Sequence, residues 1–159
     1  MYLSYNQHNS RSSVKTAMSY TFVRQPDSPI IVFTEHPNGG DPMQDVPAAI
    51  AEAARLLDQQ PSPVFLVFDL REVSIGLHDI MSAASMGARG QNAVLHHPMI
   101  RENVYVTTDP KMKMAIQGLA TATFGFVRLS RFDTLEEALE YCDHGLREAS
   151  RKHEESVEA

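Results

Sequence analysis

Val64-Phe65-Leu66-Val67-Phe68, followed by Asp69-Leu70-Arg71-Glu72-Val73, is the stretch that decides the fold. Five apolar residues in an unbroken run, most of them β-branched or aromatic, predict a strand covered on both faces. Strands of that kind belong to parallel sheets, whose neighbours are joined by crossover helices. Upstream, Ile50, Ala53, Ala54 and Leu57 form one apolar stripe at helical spacing, with Asp45 as the expected cap and Pro47 in the first turn. Downstream, a second helix is expected from about Asp79 to Arg89, ended by Gly90. Its inner face, Ala83, Ala84, Gly87 and Ala88, is small enough for close approach to a sheet or a neighbour.

The pattern repeats towards the C-terminus. Asn103–Val106 reads as a fourth strand, and Thr108-Asp109-Pro110 as a helix start, with Asp capping and Pro in the first helical position. Met112, Ala115, Ile116 and Leu119 keep one face of that helix apolar. Phe126–Leu129 is expected as the fifth strand, and Thr134-Leu135-Glu136-Glu137 is a capping box opening a last helix that buries Leu135, Ala138, Leu139, Cys142 and Leu146. On the N-terminal side, Ser19–Gln25 and Ile30–Thr34 read as strands joined by the turn at Pro26–Pro29. So short a link demands an antiparallel hairpin. The expected fold class is therefore α/β, a single-layer, mostly parallel five-stranded sheet with an antiparallel N-terminal edge hairpin and four helices, in the order ββαβαβαβα. Its domain spans 19–150, preceded by a flexible, Ser- and Asn-rich leader over 1–18 and followed by a charged tail over 151–159.

Composition narrows the function classes. At 159 residues, 43% of them hydrophobic, the chain is long enough for one domain with a substantial core. The single cysteine, Cys142, excludes an internal disulfide framework and suits a reducing, cytoplasmic compartment. No stretch approaches the roughly 20 apolar residues of a membrane span, and the first residues lack the basic-then-apolar order of a secretory signal. The net charge of −6 lies entirely in the segment from Asp133 onward, which holds nine acidic and three basic residues; the remainder is neutral. A nucleic-acid partner needs a basic face, so none is expected; the acidic segment reads as a solvated helix face.

The order of elements resembles the STAS domain, the fold of bacterial anti-anti-sigma factors. Phe65-Leu66-Val67-Phe68-Asp69-Leu70-Arg71-Glu72-Val73-Ser74 is similar to that family's central strand and its exit, and His97-Pro98 and Phe132–Leu139 resemble a divergent branch, parts of which also resemble the CRAL-TRIO lipid-binding fold. The resemblance covers about residues 19–148. It implies a regulatory module that binds another protein, or itself as a homodimer. Anti-anti-sigma factors carry a phosphorylatable serine at the start of the second helix. By count from Asp69 the matching positions hold His78 and Asp79, which have no hydroxyl, and Ser74 precedes the turn. A phosphate would place about two negative charges at that helix end; Asp79 already supplies one.

Parallel sheets bind ligands beyond the carboxyl ends of their strands. Those ends should carry Asp69 and Arg71, the Ser74–Asp79 loop with His78, and Thr108, Asp109 and Lys111. Against a binding role stands the plainer expectation that Asp79 and Asp109 cap helices and Arg71 pairs with a neighbouring acid. Lys111 and Lys113 sit in a first helical turn, where the dipole disfavours cations by a few tenths of a kcal/mol. Met81 and Met86, beside Ala84, suggest an adaptable docking patch, although methionine more often fills irregular cores.

No metal site is expected. His96 and His97 are adjacent and should point apart. No catalytic residues are assigned: there is no Gly-x-Ser-x-Gly elbow, phosphate loop or dinucleotide fingerprint, and Cys142 lies in an apolar stripe. No cofactor is expected. A non-catalytic protein-binding module through the Ser74–Gly90 region leads, and a carrier holding an apolar ligand between the second and third helices and the sheet follows. An enclosed apolar cavity of some hundreds of Å³ would favour the carrier; a solid interior with an exposed Met/Ala patch would favour docking.

Overall fold

A computed structural model describes residues 20–37 and 41–158. The leader expected over 1–18 lies outside the described residues. The strands are β1 (Tyr20–Arg24), β2 (Ile30–Glu35), β3 (Val64–Asp69), β4 (Ile100–Val106) and β5 (Leu129–Phe132), and the helices are α1 (Pro42–Asp58), α2 (Leu77–Arg89), α3 (Pro110–Leu119) and α4 (Leu135–Val157). They make one five-stranded sheet in the order β1-β2-β3-β4-β5. β1 runs antiparallel to β2, and the other neighbours are parallel. The α/β class, the edge hairpin and the order ββαβαβαβα all agree with the sequence expectation.

Spatial order follows chain order, so each crossover steps one strand in the same direction. Successive right-handed crossovers in one direction place their helices on one face of the sheet. Accordingly α1, α2 and α3 share one side, packing on Ile31, Leu66 and Tyr105. Among the described residues, only α4, which follows the last strand, covers the opposite side, over Phe65, Val67, Val104 and Val106. Alternate residues of β3 and β4 therefore feed two separate interiors, the physical reason their sequence is apolar without a break.

Local signals explain most of the boundaries. Asp109 Oδ1 accepts from the Lys111 amide at 2.8 Å, and Thr134 Oγ1 accepts from the Glu137 amide at 3.2 Å, so two of the three expected caps form, and the one at Asp45 does not. The first helix starts a turn earlier than expected, because Asp41-Pro42 supplies the cap and first-turn proline, with Asp41 Oδ1 accepting from the Met43 amide. Pro47 then falls inside α1. The last strand begins at Leu129 rather than Phe126. Gly125 and Phe126 have positive φ of 75° and 56°, a left-handed turn that no strand can include. The last helix also runs beyond 150, through Val157, so most of the expected tail is helical.

Between α2 and β4 the chain makes a 3-10 turn at Val94–His96. Asn103, buried in β4, donates from Nδ2 to the Leu95 and Arg128 carbonyls, tying that turn and the approach to β5 onto the sheet. His96 and His97 point apart as expected. His96 Nε2 donates to the Phe124 carbonyl at 2.7 Å, and His97 Nε2 meets Asp58 at 2.8 Å while its Nδ1 accepts from the Met99 amide.

Candidate functional site

A row of aromatic side chains crosses the sheet beneath α1–α3. The register pairs Phe22 with Phe33, Phe33 with Phe68, and Phe68 with Tyr105. Neighbouring ring centroids lie 5.2, 5.8 and 4.8 Å apart in that order. Aromatic pairs at such separations add about 0.5–1.5 kcal/mol each beyond the area they bury. Above this row the helices present small residues, among them Ala49, Ala53, Ala83, Ala84, Gly87 and Ala115. Large rings below and short side chains above leave the two layers incompletely filled. The result is an apolar cavity of about 180 Å³.

The cavity has a closed and an open end. At the amino ends of the strands it is sealed by buried Val94, Leu95, Ile116 and Leu119. At the carboxyl ends its lining is only half-buried, at Glu35, Pro42, Met43, Leu70 and Ile75. The mouth thus lies where parallel sheets hold their ligands. The walls are aliphatic and aromatic, with Glu35 at the rim and Tyr105 inside as polar exceptions.

The candidate residues chosen from the sequence divide into three groups. Asp69, the last residue of β3, is buried and gripped by Arg71, whose Nε and Nη2 each donate to a different carboxylate oxygen at 2.8 Å. That hydrogen-bonded guanidinium holds the carboxyl below the usual Asp range despite burial. Asp109 caps α3, and Lys111 Nζ reaches the Ile75 carbonyl at 3.4 Å. Lys113 meets Asp133 at 3.2 Å, and Arg131 meets the same carboxylate at 2.7 Å. These charges are engaged locally, as the plainer expectation had it. Asp79 is an exception: it sits half-buried in the first turn of α2, whose N-cap is Gly76 with no side-chain cap bond.

Ser74, His78 and Thr108 form a second group, exposed around the rim. The third group splits across α2. Ala84 faces inward onto the cavity, Met86 is half-buried, and Met81 faces outward at 37% exposure, one turn from Leu77 at 40%. Met81 and Ala84 therefore do not form one patch.

Two features escaped the sequence reading. One is the aromatic row with its α1 cover, whose residues come from four strands and meet only through register. The other lies on the α4 side. There Tyr141 donates to Glu102 at 2.9 Å, and Ser130 also hydrogen-bonds Glu102. The shared carboxylate ties α4 to β4 and β5. Cys142 lies beside it, fully buried, its thiol pushed up to about 12 chiefly by burial, which leaves it protonated and unreactive.

Among the described residues no helix is long and apolar enough to cross a membrane. No family model, curated protein or solved structure matches the chain.

Proposed function

We propose that this protein is a non-catalytic, STAS-like module that carries a small apolar ligand between its sheet and α1–α3, in the cytoplasmic setting its lone cysteine suits. The cavity is the single observation that carries the proposal. Protein interiors are close-packed, so an apolar cavity of about 180 Å³ with its mouth at the carboxyl ends of the strands leaves its lining short of contacts. An occupant that fills it supplies them. Drug-sized ligands need roughly 300–1,000 Å³, whereas an engineered cavity of about 150 Å³ accepts benzene. The occupant is accordingly one ring or a short chain.

Native mass spectrometry of the protein isolated from its own host tests this directly. A bound adduct of low mass, released by organic extraction, is the expected result. An adduct-free protein that also fails to bind added benzene contradicts it.

Leu77 and Met81, exposed one turn apart at the start of α2, favour a second function: docking of another protein or a second copy of this chain. Leu77→Glu with Met81→Glu should then abolish any dimer seen by analytical ultracentrifugation. A monomeric wild-type protein removes the homodimer.

A further inference from the structure

Resting on the cavity as a ligand site, we infer that its ligand is a single aromatic ring bearing one hydrogen-bonding group, recognised by the Tyr105 hydroxyl. The Phe68 and Tyr105 rings are nearly parallel, 10° apart, with centroids separated by 4.8 Å. That separation matches the spacing of adjacent strands, about 4.7–4.9 Å. The two rings therefore stack across neighbouring strands, and with Phe22 and Phe33 they line the cavity with aromatic surface. Aromatic pairs gain beyond the area they bury, and an aliphatic chain fills the same volume without that gain.

The hydroxyl supplies the second half of the recognition. It sits at the tip of the ring, the part of Tyr105 farthest from its strand. Tyr105 is 5% exposed and lines the cavity, yet its hydroxyl makes no hydrogen bond to any described residue. Burial alone pushes the phenol well above its usual range, so it stays protonated and able both to donate and to accept. The hydroxyl is not sealed into packed protein but opens onto the cavity, and phenylalanine at this position would keep the stack without offering any polar group there. A ligand that brings its own polar group gives the hydroxyl a reason to be there.

Benzene and phenol, which differ by one hydroxyl, test the inference by calorimetric titration of the wild-type protein and Tyr105→Phe. Net hydrogen-bond contributions translate into about three- to tenfold in affinity. The ratio of phenol to benzene affinity should therefore fall by that factor in Tyr105→Phe. An unchanged ratio, with benzene still bound, overturns the hydroxyl's role and leaves the carrier function standing. Failure of both probes to bind the wild-type protein overturns both. In the wild-type complex, phenol ring protons should show nuclear Overhauser contacts to the Phe68 and Tyr105 rings; contacts confined to α4 residues would contradict the site itself.

Discussion

The two faces of the sheet are built from the same strands and packed to different ends. On the α4 side, Ile30, Val32, Val67, Val104 and Val106 meet Ala138 and Cys142 in a filled layer, with the rings of Phe65, Phe132 and Tyr141 packed at its border. On the α1–α3 side, rings stand where the other face has valines, and the helices above offer alanine and glycine. β-branched side chains tile a pleated surface evenly, whereas large rings under a small-faced helix leave gaps. One face is therefore occupied with holding the fold, and the other has room for something else.

The largest expected difference between them comes from removing a ring. Phe65→Ala on the filled face should lower unfolding free energy by about 3–5 kcal/mol in urea denaturation, the range for a ring lost from a packed interior. Phe68→Ala should fall at or below the bottom of that range, because one side of its ring already borders the cavity and has fewer contacts to lose. Equal losses would mean the cavity is closed in solution. Small-to-large changes should then differ in sign. Ala138→Leu, fully buried under α4, should cost about 1–3 kcal/mol by overpacking. Ala84→Leu should be neutral or stabilising by about 0.5–2 kcal/mol and should abolish benzene binding.

The filled face also has a distinct pH response. Cys142 keeps its proton up to about pH 12 in the folded protein, against an ordinary value near 9 when unfolded. The unfolded state loses its proton first as pH rises, so this contribution is complete below about pH 9 and fades between 9 and 12. Cys142→Ala should flatten the decline in that window, as followed by urea midpoints. At the smallest end, Phe126 lies outside both layers, 69% exposed and held at positive φ. Phe126→Gly should leave ligand binding alone and shift the thermal midpoint by no more than a few degrees, relieved backbone strain being offset by added freedom in the unfolded chain.

Much of this contrast in architecture was legible in the sequence, and its functional half was not. Asp109-Pro110 and Thr134 announce their helices because capping is a contact over two or three residues. Asp41-Pro42 and Asp45 with Pro47 are competing start signals of the same kind, and only the formed cap at Asp41 decides between them. Phe126–Leu129 looks like a strand because its composition is right, while the left-handed turn at Gly125-Phe126 is a backbone event that composition does not announce. The small face of α2 was readable from Ala83, Ala84 and Gly87, but what it faces was not. Phe22, Phe33, Phe68 and Tyr105 become one row only through strand register, and register is set by the whole fold.

Chemical-shift mapping of the ¹⁵N-labelled protein titrated with benzene tests the division between the faces most directly. Perturbations should concentrate on Phe68, Ala84, Tyr105, Ala115 and Ile116, and spare Ala138 and Cys142. Saturable shifts spread equally over both faces, or none at all, would contradict a ligand cavity on the α1–α3 side.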